Sequence, residues 1–139
     1  MFKRIMMPVD LAHVESLGQA VTVAADLAGH YGAELVFVGV TATAPSRAAH
    51  SPEEYRDKLA AFAAQKASRH AITTRAQTII SHDPAVELDD VLIKAVGDVG
   101  ADLVVMATHV PNMADMILPA HGGALARHTD VSVFLVRHA

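Results

Sequence analysis

The stretch Gly32–Val40 reads GAELVFVGV. A glycine able to close a helix is followed at once by a β-favouring run, Glu34 to Val40, with no polar residue after Glu34. A strand with one wet face alternates polar and apolar residues. An unbroken apolar run belongs to a strand covered on both faces, as in a parallel sheet packed between helices.

Working outward from that strand gives the same architecture in both directions. Upstream, Leu11 to Tyr31 places Val14, Leu17, Val21, Ala24, Ala25 and Ala28 at helical spacing, and Phe2 to Val9 before it is a short apolar strand bounded by Pro8 and Asp10. Downstream, Thr41 to Ser51 holds Pro45 and several small residues without periodicity, a loop whose conformation the sequence leaves open. Ser51 caps a second helix that has Pro52 at its first position and runs through Leu59 and Phe62 towards His70. Arg75 to Ser81 is a more polar third strand, expected at a sheet edge. Asp83 and Pro84 open a third helix with Val86, Leu88, Val91, Leu92 and Ala95 on its apolar face, ending near Gly97 to Gly100. Asp102 to Ala107 is a fourth strand, Thr108 to Leu118 a loop, Pro119 to His128 a short helix and Ser132 to Val136 a last strand. This order predicts an α/β domain spanning residues 1–139, a doubly wound five-stranded parallel sheet with helices on both faces. Ligands on such sheets bind beyond the carboxyl ends of the strands, where the winding reverses.

Composition narrows the function classes. The chain is 52% hydrophobic but only 4% aromatic, so its core is built from Ala, Val, Leu, Ile and Met. A net charge of −4 without a basic stripe argues against nucleic-acid binding, which needs a face that neutralises phosphates. The absence of cysteine excludes disulfides, thiol catalysis and thiolate metal sites. The apolar run ending at Pro8 is too short for a signal peptide, and no stretch reaches the roughly 20 apolar residues of a membrane span, so a cytoplasmic location is expected.

Two segments carry candidate chemistry. Asp10 ends the first strand, where its carboxylate could accept a ribose hydroxyl, hold a metal or cap the following helix; these roles are compatible. Pro119, Ala120, His121, Gly122 and Gly123 begin the last helix, and unpaired amides in a first turn suit phosphate oxygens. Two adjacent glycines there cost about 1 kcal/mol each relative to alanine, explained either by close approach of a ligand or by packing against the neighbouring strand.

MMPVD at the end of the first strand, GAELVFVGV, HDPA before the third helix, ADLVVMATH on the fourth strand and ARHTDVSVFLVR at the end together resemble the universal stress protein family, in order and across nearly the whole chain. The resemblance implies strand order 3-2-1-4-5, an adenine nucleotide alpha hydrolase-like fold, a role in stress response and regulation, and binding of AMP or ATP, the latter with Mg. It implies an adenosine pocket of Pro8, Val9, Asp10, Val40 and Met106. Thr108, His109 and the helix start at Ala120, His121 and Gly122 would face the phosphates, with Ser132 and Val133 nearby. For Val9, Val40 and Met106, simple strand core is the competing reading.

The family's glycine pattern, Gly-x-x-Gly followed by Gly-Ser or Gly-Thr, is degenerate here. Ala107, Val110, Pro119 and Ala120 stand at its positions, while Thr108–Pro111 resembles a Ser-His-x-Pro loop found in one branch. Pro119 removes one amide donor, Val110 restricts backbone approach and Ala120 lacks a hydroxyl, which argues against a triphosphate and leaves room for a monophosphate or adenosine. The implied site binds weakly, with at most weak nucleotide hydrolysis and no catalytic residue singled out.

Two alternatives stand beside it. One is a nucleotide-free dimeric interaction module, since Val131 to Val136 is an apolar edge strand through which the family commonly forms homodimers. The other is a metal-dependent hydrolase using His13, His82, His109 and His121 with Asp10 and Asp83, although no two of these histidines have a fixing HxH or HxxxH spacing. No nucleophile elbow or Walker-type loop is visible.

Overall fold

A computed structural model describes residues 1–107 and 117–137, with the backbone alone for 117–122. The strands are β1 (Arg4–Pro8), β2 (Glu34–Thr41), β3 (Thr74–Ile80), β4 (Leu103–Ala107) and β5 (Ser132–Val136). The helices are α1 (Gly18–Tyr31), α2 (Pro52–His70), α3 (Pro84–Val99) and α4 (Ile117–His128). All strand pairs are parallel, in the order β3-β2-β1-β4-β5. The sheet expected from the run GAELVFVGV is therefore present, with its predicted order.

The unbroken run does what its composition requires. Leu35 and Phe37 of β2 enter one core with Ile5 and Met7 of β1, under α1 and α2. Val36 and Val38 enter the other with Met6 of β1 and Val104 and Met106 of β4, under α3 and α4. Because β2 alternates between two cores, none of Leu35, Val36, Phe37 and Val38 can be polar. Helix α1 lays the small residues Ala20, Ala24, Ala25 and Ala28 on the sheet, all buried.

The amino ends of the central strands are tied by polar contacts. The Asp102 carboxylate accepts the amides of Lys3 (2.8 Å) and Arg4 (3.1 Å). The Arg4 guanidinium pairs with Glu34 at 2.9 Å and donates to the Val99 carbonyl at 3.1 Å. These bonds link β1 to β2 and to the α3–β4 connection at the end of the sheet opposite Asp10.

Sequence boundaries shift in three informative places. The helix expected from Leu11 to Tyr31 is two elements, a 3₁₀ turn at Leu11–Ser16 and α1, meeting at Leu17, whose amide bonds the Val14 carbonyl three residues back. This leaves Val14 38% exposed instead of in the core. Val86 is 78% exposed, because the buried residues of α3, Leu92, Ala95, Val96 and Val99, all lie in its later turns. Helix α4 opens at Ile117, two residues before Pro119, since Pro is tolerated in a first turn and the apolar pair Ile117–Leu118 extends the helix backwards.

Helix ends follow the expected capping chemistry with one substitution of roles. Ser51 Oγ accepts the Glu54 amide at 3.1 Å. Glu54 in turn accepts the His50 amide at 3.1 Å and pairs with Lys58. Asp83 sits at the start of α3 but makes no side-chain cap bond; Glu87 reaches back instead, accepting the Asp83 amide at 3.0 Å and the Ser81 hydroxyl at 2.5 Å. At the other ends, Gly32 and Gly100 close α1 and α3 in the left-handed region, and Ala71 does so for α2 with φ +54°.

That conformation costs an L-residue about 1–2 kcal/mol, so Ala71→Gly is expected to stabilise the fold by about 0.5–1 kcal/mol after the extra freedom of the unfolded chain is counted. Denaturant unfolding of the two proteins measures it, and equal or lower stability for the variant contradicts it. A second expectation concerns acid. The His50 amide, then Lys58, hold the Glu54 carboxyl below its usual range, and the Ser81 hydroxyl, then the Asp83 amide, do the same for Glu87. A lowered folded value gives stability that is present above the ordinary carboxylate value of about 4.3 and lost as pH falls through the folded one. Glu54→Gln and Glu87→Gln should each lower the melting temperature at neutral pH and flatten its fall below about pH 4.

Candidate functional site

The winding reverses at β1, which pairs with β2 on one side and β4 on the other. The two pairings have different lengths. On the β2 side the register runs from Arg4↔Glu34 to Pro8↔Val38, and the Val9 amide continues to the Val38 carbonyl at 2.9 Å. On the β4 side it covers only Ile5↔Leu103 and Met6↔Val104, although β4 stays paired with β5 as far as Ala107↔Val136.

Pro8 supplies the reason. Amides two apart on a strand point the same way, so the Val9 amide on β2 places those of Ile5 and Met7 there as well. The Arg4 amide faces the β4 side, on Asp102. Pro8, in step with Arg4 and Met6, faces β4 with no N–H to give. Pairing therefore ends after Met6, at the carboxyl ends of β1 and β4, the switch point where sheets of this kind form their crevice.

Asp10 stands at the lip of this crevice, its side chain 53% exposed. Both carboxylate oxygens are engaged. Oδ1 accepts the Ala12 amide at 2.9 Å, which is the capping role anticipated for it, and Oδ2 meets His13 Nδ1 at 2.9 Å. The His13 carbonyl accepts the Ser16 hydroxyl at 2.8 Å. His13 thus stands as the orienting partner of Asp10, with Nδ1 used and Nε2 left for a further contact.

Tyr55 comes from the first turns of α2 and is 3% exposed. Burial, reinforced by the Asp10 charge, raises its pKa well above the usual phenol value, so the hydroxyl stays protonated. It lies over Gly39 of β2, where an added Cβ would come within 2.7 Å of ring Cε1 and against the hydroxyl. Gly39 is thus the one position in this strand where the absence of a side chain is a packing requirement. Sequence reading did not single out Tyr55 or Gly39; the visible signal was a glycine inside an otherwise unbroken apolar run.

The other anticipated residues divide clearly. By register, Val40 is level with Asp10, and Met106 with Pro8. Met6, Val38 and Met106 share the core under α3 and α4, which puts Pro8 and Val40 on the same side of the sheet. Pro8 and Val40 keep some exposure; Met106 has none and acts as core. Val9 is turned to the opposite core, under α1 and α2. Ser132 and Val133 are not brought to the crevice. They pair with Leu103 and Val104, at the amino end of β5, because a parallel sheet sends the start of every strand to the end away from Asp10. With α4 opening at Ile117, the amides of His121 and Gly122 come after the helix's first four and belong to its own hydrogen-bond ladder, while Ala120 is the fourth residue of the helix. Thr108 and His109 fall outside the described residues.

Among the described residues no three of His, Asp or Glu gather as a metal ion would require. Asp10 and His13 do meet, while His82 and Asp83 follow the edge strand β3, on the far side of β2. No described helix is long and apolar enough to cross a membrane.

Comparison with known proteins agrees with this geometry. Universal stress protein G of Shigella flexneri is 28% identical over 148 residues, covering 99% of this chain and 100% of that protein. Among solved structures, a universal stress protein in complex with cAMP superimposes with a TM-score of 0.71 at 20% identity, covering 99% of each chain. A universal stress protein family protein of Arabidopsis thaliana with AMP bound gives 0.65 at 16% identity, covering 99% of this chain and 92% of that one. The model of the universal stress protein family matches residues 1–137, and with its strand order and crevice in place the chain belongs to that family.

Proposed function

We propose that this chain is a regulatory domain of its family that binds an adenine nucleotide, AMP in preference to ATP, in the crevice between β1 and β4. The observation that carries the reading is the Asp10 carboxylate, exposed at the lip of the crevice and held by the Ala12 amide and His13. A carboxylate so placed is an acceptor for ribose hydroxyls, and a charge-assisted bond of that kind contributes about 1.5–3 kcal/mol. The partly exposed edges of Pro8 and Val40 would meet the adenosine, with Met106 as the floor beneath. Thr108 and His109 would face the phosphate. That two relatives of the same fold were crystallised with cAMP and with AMP supports the reading. The degenerate glycine pattern favours one phosphate over three, and an ATP complex would bring Mg with it.

Calorimetry with AMP and ATP tests it, alongside identification of any nucleotide released on denaturing freshly purified protein. AMP is expected to bind more tightly than about 1 mM, and Asp10→Asn, which keeps the cap acceptor, to weaken it by about tenfold or more. Binding weaker than about 1 mM for both nucleotides would remove the proposal.

A second reading rests on β5. Phe134 and Leu135, adjacent and therefore on opposite faces of this edge strand, are 44% and 43% exposed. Apolar exposure on both faces of an edge invites pairing with another chain, so we propose a homodimer through Val131 to Val136. Sedimentation at micromolar concentration should show a dimer that Phe134→Lys converts to monomer; a wild-type protein that sediments only as monomer contradicts it.

A further inference from the structure

On the α1–α2 side of the sheet, away from the face that carries Pro8, Val40 and Met106, a groove of about 520 Å³ opens between the 3₁₀ turn after β1 and helix α2. Leu11 and Val14 of the turn line it together with Lys58, Ala61, Phe62 and Gln65 of α2, and Arg47 joins them from the connection before α2. The floor is continuous with the core, since Leu11 and Phe62 pack against it and the Phe62 ring meets Phe37 edge-on at 5.1 Å. Val14 is exposed here, and the break between the 3₁₀ turn and α1 is what turns it to this side.

The charges are as specific as the shape. The chain carries a net charge of −4, yet no carboxylate lines the groove. Lys58 is held in place by the Ala48 carbonyl at 2.7 Å and by Glu54 at 3.1 Å from the preceding turn of α2. Arg47 makes no ion pair or side-chain hydrogen bond among the described residues. An open groove with Leu11, Val14 and Phe62 along it and a guanidinium unpaired among the described residues is complementary to a molecule with an apolar body and an anionic head.

We propose that this groove is a binding site for a small amphipathic monoanion, an alkyl or aryl carboxylate or sulfonate. Its apolar body lies on Leu11, Val14 and Phe62, and its anionic head meets Arg47. The site is separate from the crevice at Pro8 and stands or falls independently of nucleotide binding.

The test is a fluorescence titration of the full chain with 8-anilinonaphthalene-1-sulfonate, followed by displacement with octanoate. One saturable site is expected, displaced by octanoate and at least about tenfold less effectively by the uncharged 1-octanol, because the head must carry charge. Arg47→Glu should weaken the probe by about tenfold or more, and Ala61→Trp, which fills the groove from an exposed helix position, should abolish the site. Both positions are on the surface, and unchanged circular dichroism verifies that the variants are folded. Amide shifts on octanoate binding should centre on Ala12, Val14 and Ala61. Unsaturable binding, equal affinity in both variants, or displacement of the probe by AMP, which would put it in the crevice, overturns the proposal.

Discussion

Everything in this molecule depends on β1 being paired on both edges and buried on both faces, and on that pairing stopping early on one side. Ile5, Met6 and Met7 have no exposed surface and feed two cores at once. A strand so placed has no freedom to shift register, because a slip of one residue would exchange the two cores. Pro8 then removes one amide from the β4 edge, and the sheet parts where the chain's winding reverses. The polar ties of Asp102, Arg4 and Glu34 lie at the opposite end, so the end that parts is not the end that holds the strands together.

The turn that follows β1 joins the crevice to the groove. Its Asp10 and His13 lie at the lip of one, and its Leu11 and Val14 line the other. Tyr55, held from α2, is buried with its ring against Gly39. A close-packed buried ring is a rigid support, since it has no free volume to move into. Gly39 belongs to the same support, because any side chain there would displace the ring.

Much of this was legible in the chain. The helix-closing Gly32, the cap at Ser51 followed by Pro52, and the apolar runs of β2 and β4 each act through local rules that need no tertiary context. Asp10 was legible as both cap and cleft residue for the same reason: it ends a buried strand and starts a turn. Local rules failed where the outcome depended on distance in space. Val86 has helical periodicity with its neighbours, yet the residues of α3 that reach the core all lie in its later turns. Ser132 and Val133 follow the last helix in the chain, yet the parallel direction of β5 carries them to the other end of the sheet. Tyr55 reads as one more apolar position on α2 until Gly39 is found beneath its ring.

By itself, then, the sequence determined the kind of sheet and the order of its elements, and put Asp10 at the end of the first strand, because hydrophobic periodicity and turn chemistry act over a few residues. The tertiary structure alone decided which residues share that end. It buried Met106 in one core, sent Val9 to the opposite one, paired His13 with Asp10 and set Arg47 in a groove with Leu11, Val14 and Phe62. Those outcomes depend on strand register, on the direction of each strand and on which helix covers which face, and none of these is a property of neighbouring residues.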